Sequence, residues 1–144
     1  MIKVKRIDHV AIAVADTGSV ETDLTSLFGL EAGAREHVAQ QKTDVVFLHP
    51  SRNTDADAAI ELICPAGNAG LQRFLDKRGP GLHHICFEVD DLPGALATLK
   101  AAGVRLIDDV PRTGARGHQV AFLHPAATGG VLFELCAPTH GASP

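Results

Sequence analysis

The sequence predicts an α+β fold built from two βαβββ modules. The first observation behind this is an internal repeat, in which His84 and Asp91 align with His9 and Asp16 at an offset of 75 residues. The second is the alternation of apolar and polar residues, which is typical of strands that cover one face of a sheet. The third is a helical pattern after the first strand of each copy, introduced in both copies by an aspartate.

The repeat runs through nearly the whole chain. The same offset carries one Phe-Leu-His-Pro motif onto a second, and two residues of slippage align the final strands, which end at Cys64 and Cys136. Two copies are too few for a solenoid. We therefore expect one domain of 144 residues, with module 1 at about 1–76 and module 2 at about 77–144.

In module 1 the pattern predicts strands and a single capped helix. The helix begins after Asp16, carries Val20 and Leu24 at helical spacing, and stops at Gly29. The segment that follows is less regular, and we expect a strand that runs into a loop. The predicted strands are 6–14, 43–49 and 58–64, and the irregular segment is 31–41.

The joint between the modules, at 65–80, has Gly and Pro at both ends and room for a short amphipathic helix. Module 2 then repeats the order of module 1. Its helix begins after Asp91, buries Leu92, Leu96 and Leu99, and ends at Gly103. Its predicted strands are 82–89, 104–108, 119–124 and 131–136.

Three successive strands with short turns imply antiparallel pairing, with the helix covering one face of each sheet. The other face must then form a cup. We expect two such cups to face each other and enclose a site.

Four polar residues interrupt the apolar strands. Each taken alone has an ordinary interpretation, since a strand histidine is commonly a core residue and a strand glutamate commonly points to water. Their duplication favours a shared role, because each copy has one His on its first strand and one Glu on its last. Two imidazoles and two carboxylates at one point suit a divalent transition metal. The residues are His9, Glu61, His84 and Glu134.

Composition excludes several classes of function. A net charge of −4 without a Lys/Arg cluster argues against nucleic acid, and no apolar run approaches a membrane span. The start of the chain lacks the apolar stretch of a signal peptide, and the three cysteines have no CxxC spacing. We therefore expect a cytoplasmic protein with reduced thiols and no nucleic-acid or membrane partner.

Several motifs carry a resemblance to a known family. These are D-H-V-A-I-A-V, H-H-I-C-F-E-V-D-D, P-R-T-G-A-R-G, F-L-H-P and G-G-V-L-F-E-L. In their order and spacing the chain resembles the vicinal oxygen chelate (glyoxalase/bleomycin resistance) superfamily and, within it, the methylmalonyl-CoA epimerases. The resemblance implies a half-open barrel around a divalent cobalt, manganese, nickel or zinc ion, a homodimer and an acyl-CoA substrate. The family's metal ligands carry over to His9, Glu61, His84 and Glu134.

The resemblance also implies a reaction. The α-proton of a 2-methylmalonyl thioester would leave as the enolate forms and return on the opposite face, with Glu134 as one base. The second base of the family is a loop glutamate, and Gln40 stands in its place. A glutamine amide cannot act as a general base. Three nearby ionisable residues, Glu36, His37 and Asp44, are alternatives that the sequence leaves open.

Other features bear on the substrate. Arg112 and Arg116, with Lys77, are candidates for contacts to CoA phosphates. A glyoxalase-like lyase or isomerase uses the same ligand set and remains an alternative, as does a protein that sequesters a ligand without catalysis. An extradiol dioxygenase fits less well, because Glu61 would occupy a metal position that oxygen needs.

Overall fold

The structure, a computed structural model, describes residues 1–51 and 57–139 and has an α+β fold. The fold class predicted from the sequence is confirmed. The helices are α1 (Thr17–Phe28), α2 (Ala69–Arg78) and α3 (Leu92–Ala101). The strands are β1 (Val4–Ala13), β2 (Glu31–Ala32), β3 (Glu36–Val38), β4 (Thr43–His49), β5 (Ala59–Pro65), β6 (Gly81–Val89), β7 (Arg112–Thr113), β8 (Gln119–Phe122) and β9 (Phe133–Ala137).

Contacts within the chain group it into two compact units. The early unit is His9–His83, and the late unit combines Met1–Asp8 with His84–Pro144. Strand β1 therefore gives its first half to the late unit and its second half to the early unit. Strand β6 is divided in the same way, with its last residues in the late unit.

The early unit is a sheet with the order β2-β4-β5-β1, in which β3 also pairs with β4. Strand β5 runs parallel to β1 and antiparallel to β4. Helix α1 covers one face, where Val20 and Leu24 pack against a core that contains Val46 and Leu62. The Asp16 carboxylate accepts a hydrogen bond from the Gly18 amide at 3.0 Å, which begins the helix as predicted.

The late unit repeats this plan. Strand β6 runs parallel to β9, β8 is antiparallel to β9, and β7 is antiparallel to β8. Helix α3 buries Leu92 and Leu96 against the sheet, with Leu99 partly buried beside them. The Asp91 carboxylate accepts from the Gly94 amide at 3.0 Å. The predicted cap and buried face of this helix are confirmed.

One predicted strand is wrong. Residues 104–108 form no strand; they make an isolated bridge between Leu106 and Leu123, with backbone hydrogen bonds to Phe122 and His124 beside it. The Asp108 carboxylate accounts for this, because it accepts the Phe122 amide hydrogen bond at 2.9 Å. A side chain thus takes the place that a second strand's carbonyl would have filled, and regular pairing stops there.

The irregular segment at 31–41 forms the two short strands β2 and β3 and a 3₁₀ turn, Ala39–Gln41. Lys42 ends this turn in the left-handed conformation, with φ 48°. Among the described residues, none of the helices combines the length and the apolar character that a bilayer crossing requires.

Candidate metal-binding and catalytic site

The early unit holds the first buried His–Glu pair. Glu61 on β5 lies opposite Ala11 on β1, and His9 is two residues before Ala11, so both side chains are on the same face of the sheet. The Nε2 atom of His9 is 3.5 Å from the Oε1 atom of Glu61. The two residues are 3% and 5% exposed. The His9 ring also meets the Phe47 ring edge-on, with centroids 5.4 Å apart.

The late unit holds a second pair built in the same way. Glu134 on β9 lies opposite Cys86 on β6, and His84 is two residues before Cys86. The Nε2 atom of His84 is 3.8 Å from the Oε1 atom of Glu134, and the residues are 6% and 4% exposed. The His84 ring meets the Phe122 ring edge-on at 5.1 Å. Each predicted His–Glu pair is therefore brought together within its own unit.

The donor atoms in each pair fit metal ligation better than direct hydrogen bonding. Separations of 3.5 and 3.8 Å are at or beyond the limit for a good hydrogen bond between nitrogen and oxygen. Two ligands that each lie about 2.1 Å from one metal are separated by about 3.0–3.4 Å at octahedral or tetrahedral angles. Imidazole nitrogen and carboxylate oxygen are also donors that divalent transition metals accept. If the nitrogen and oxygen atoms of a pair moved slightly closer together, both could bind the same metal ion.

The loop that carries Gln40 is fixed to the start of α2. Gln40 is exposed within the turn Ala39–Gln41. The Asn68 side chain donates from Nδ2 to the Gln41 carbonyl oxygen at 2.8 Å and accepts from the Leu71 amide at 2.9 Å. The turn is thus tied to the cap of a helix.

The three alternatives to Gln40 lie on β3 and β4. Glu36 on β3 is opposite Val45 on β4, and His37 is opposite Asp44. The Nδ1 atom of His37 and the Oδ1 atom of Asp44 are hydrogen-bonded at 2.7 Å, and both side chains are about half exposed. Glu36 is partly buried.

The arginines proposed for substrate contact each meet an aspartate. Arg112 Nε lies 2.9 Å from Asp108 Oδ1, and Arg116 Nη2 donates to Asp8 Oδ2 at 2.5 Å. The side chains of Arg112 and Arg116 are about a third exposed. Lys77 lies in the last turn of α2.

The sequence interpretation missed the role of Asp8. This residue is 2% exposed, and its Oδ1 atom accepts from Arg6 Nη1 at 3.0 Å while Arg116 holds Oδ2. Arg6 also donates to Glu88 at 3.0 Å. The result is a buried carboxylate neutralised by two guanidiniums. The one available signal was a charged residue inside an apolar strand.

Asp8 also lies near His118 and Cys136, with donor atoms all within 4.8 Å of one another. This trio resembles a zinc ligand set in composition. However, both oxygens of Asp8 already accept charged hydrogen bonds from Arg6 and Arg116, and two cations at this distance disfavour a third. We assign the group to the packing of the late unit.

The buried thiols share that region. Cys86 and Cys136 pack with Val120 in a small core cluster. A hydrogen bond from the Cys86 thiol lowers the pKa of Cys136 to about 7, and His118 acts in the same direction against the effect of burial. Burial raises the pKa of Cys86 well above its usual value.

Comparison with known proteins gives consistent results. A family profile described as the glyoxalase/bleomycin resistance protein/dioxygenase superfamily matches residues 8–122. The ethylmalonyl-CoA/methylmalonyl-CoA epimerase of Cereibacter sphaeroides is 38% identical over 133 residues, which cover 90% of this chain and 96% of that one.

Solved structures extend the comparison. The crystal structure of methylmalonyl-CoA epimerase from Mycobacterium tuberculosis superposes with a TM-score of 0.87 at 33% identity, covering 94% of this chain and 89% of that one. A variant of the Streptomyces coelicolor methylmalonyl-CoA epimerase, in complex with 2-nitronate-propionyl-CoA, gives 0.88 at 30% identity, covering 95% and 99%.

Proposed function

We propose, from the premise that this chain belongs to the glyoxalase/bleomycin resistance protein/dioxygenase superfamily, that it is a metal-dependent epimerase of methylmalonyl-CoA or a similar acyl-CoA. The observation that carries the proposal is the duplicated, buried His–Glu pair, with the same strand register in both units. Relatives named as epimerases that match most of the chain at 30–38% identity support the choice of reaction.

The four residues of the two pairs would hold one divalent metal. The donor set fits cobalt, manganese, nickel or zinc, and availability commonly decides among such ions. When bound, the metal would act as a Lewis acid that stabilises the negative charge developing on the thioester oxygen. Its ligands would be His9, Glu61, His84 and Glu134.

Glu134 would also move the proton. A buried carboxylate is an acceptor in its ionised form, and low exposure removes the water that would compete for the proton. The carboxylate would take the α-proton, and the electrons of the broken C–H bond would pass to the thioester carbonyl. A proton delivered to the opposite face of the same carbon completes the epimerisation. The base therefore needs an acidic partner on that second face.

Binding of the acyl-CoA would use polar side chains outside the metal pairs. Arg112 and Arg116 carry guanidinium donors at partly exposed positions, and these suit phosphate oxygens. The exposed Gln40 offers an amide that both donates and accepts hydrogen bonds. We propose that these three residues contact the substrate.

We also propose a homodimer, on the basis of the family resemblance. Sedimentation equilibrium would give about twice the 15.1 kDa mass of one chain. A mass of one chain at micromolar concentration would contradict the proposal. The cytoplasmic location stays a prediction.

The proposed function is tested by deuterium incorporation. Metal-free protein is loaded separately with each of the four metals and incubated in heavy water with methylmalonyl-CoA, and the mass at the α-carbon is followed. We expect metal-dependent exchange that Glu134→Gln abolishes and that Glu31→Gln, at an exposed strand residue, leaves intact.

No exchange with any metal, from protein that binds one, would overturn the epimerase proposal. Turnover of glyoxalase-type substrates would then support the lyase alternative. Protein that binds acyl-CoA but no divalent metal would favour sequestration.

A further inference from the structure

We propose that Glu36 is the second base of this reaction and acts on the face of the α-carbon opposite Glu134. This inference rests on the proposed function and adds to it the group that Gln40 cannot supply. It is carried by the register of three strands in the early unit.

The register places Glu36 on the same face of the sheet as the His9–Glu61 pair. Residues directly opposite each other on neighbouring strands point to the same face, as do residues two apart on one strand. Glu36 is opposite Val45, which shares its face with Phe47. Phe47 is opposite Glu61, which is 3.5 Å from His9. Glu36 therefore lies on the same face of the sheet as the His9–Glu61 pair, with Val45 and Phe47 between them.

The same rule removes the other two alternatives. Asp44 and Val45 are adjacent on β4, so Asp44 points to the opposite face, and its partner His37 points there with it. That face is the one that α1 covers further along, through Val46 and Leu48. The hydrogen-bonded pair of His37 and Asp44 looks like a base and its orienting carboxylate, but it is on the wrong side of the sheet.

The distance between Glu36 and Glu61 of the His9–Glu61 pair suits a second base. Two strand spacings separate β3 from β5, and two residues along the strand separate Val45 from Phe47, which gives about 12 Å between the Cα atoms of Glu36 and Glu61. Both side chains leave the same face of the sheet, so a small acyl group bound over Phe47 would lie between them.

The backbone near Glu36 is held in place. The β3–β4 connection is fixed by the Asn68 bond to Gln41, and the Ala66 amide donates to the Lys42 carbonyl oxygen at 2.9 Å. The Thr43 hydroxyl donates to the Gln41 carbonyl oxygen at 2.8 Å. A base on a short strand anchored at its turn keeps a defined position, which proton transfer requires.

In one direction, ionised Glu134 takes the α-proton while protonated Glu36 delivers its own proton to the other face of the enolate. One C–H bond breaks and one forms, and the two carboxyl groups exchange protonation states. Proton exchange with water then restores the starting enzyme. In the reverse direction Glu36 is the base and Glu134 the acid.

The test separates the two faces of the substrate. Each pure epimer of methylmalonyl-CoA is incubated in heavy water with the metal-loaded wild type, Glu36→Gln and the matched control His37→Asn. For Glu36→Gln we expect epimerisation to fall by at least about 100-fold. We also expect α-deuterium incorporation to persist from the epimer whose proton faces Glu134 and to vanish from the other. His37→Asn should behave as wild type.

Two further measurements keep the result interpretable. Metal affinity and acyl-CoA affinity of Glu36→Gln should remain within about threefold of wild type, because the residue is in neither binding set.

Wild-type epimerisation by Glu36→Gln, or equal loss of exchange from both epimers with binding intact, would overturn the inference and leave the proposed function standing. Wild-type protein that exchanges neither epimer would overturn both.

Discussion

The Nε2 atom of His9 lies 3.5 Å from the Oε1 atom of Glu61, at a depth where both residues are at most 5% exposed. If the pair is half of a metal site, removing the imidazole should lower the affinity for the metal. The loss should be larger than the loss from removing a residue that only contacts a metal ligand. We expect His9→Asn to raise the dissociation constant for zinc or cobalt by more than about 100-fold. Competition with a chromogenic chelator measures it.

His37→Asn serves as the control for the His9 variant, because it removes an exposed imidazole from the other face of the same unit. Unchanged affinity in His9→Asn, in protein whose circular dichroism matches wild type, would remove His9 from the ligand set.

Bound metal should stabilise the folded chain. A ligand at 100 times its dissociation constant adds about 2.7 kcal/mol to the free energy of unfolding, which for a chain of this length is a rise in Tm of about 10 °C. We expect this rise on adding metal to chelator-treated protein and its near loss in Glu61→Gln. A calorimetric scan with and without metal decides it, and equal rises in both proteins would contradict the assignment of Glu61.

Arg116 and Asp8 should be energetically coupled. Their charged hydrogen bond joins a buried carboxylate to a guanidinium about one third exposed, so solvent weakens but does not cancel the interaction. We expect a coupling energy of about 1–2 kcal/mol from a double-mutant cycle of Asp8→Asn and Arg116→Ala, measured by urea unfolding. The exposed pair of Arg35 and Glu21 is the comparison, with coupling below about 1 kcal/mol. Additive effects at Asp8 and Arg116 would show that the bond contributes nothing.

Cys136 should make stability depend on pH. Its pKa falls to about 7 on folding, so the folded chain binds fewer protons than the unfolded chain between pH 7 and the usual thiol pKa. The Cys136 thiolate therefore contributes fully to the free energy of unfolding above the pKa of the unfolded thiol. This contribution is lost as pH falls through 7. We expect the unfolding free energy of metal-free wild type to rise between pH 6.5 and 8.5 more steeply than that of Cys136→Ser.

Cys64→Ser is the control for this slope. Burial raises the pKa of Cys64, so its effect on stability has the opposite sign and Cys64→Ser should not flatten the rise with pH. Parallel curves for wild type and Cys136→Ser would refute the lowered thiol pKa.

Local signals account for most of what the sequence predicts correctly. The sequence predicts strand β4 at its observed bounds, Thr43–His49, because an apolar run ends there at Pro50. The sequence predicts the caps at Asp16 and Asp91 because capping depends on a side chain and an amide two or three residues away.

The errors and omissions involve contacts that are distant in sequence. The bond between Asp108 and the Phe122 amide, which replaced a predicted strand, joins residues 14 apart. The bond between Arg116 and Asp8 joins residues 108 apart. Spacing cannot reveal such partners, whereas the His–Glu pairs were found because the repeat displays each of them twice. Assigning Glu36 to a face of the sheet requires the register between β3 and β4. That register depends on the length of the turn between them, which the sequence does not give.

The division of β1 between two compact units constrains how the chain can fold while it is being synthesised. Residues Met1–Asp8, which include the start of β1, group with a segment that begins at His84. They leave the ribosome early and must wait for more than half of the polypeptide before their native neighbours exist. Residues His9–His83 can collapse before then. The late unit, which includes Met1–Asp8, therefore reaches its native contacts after the early unit can.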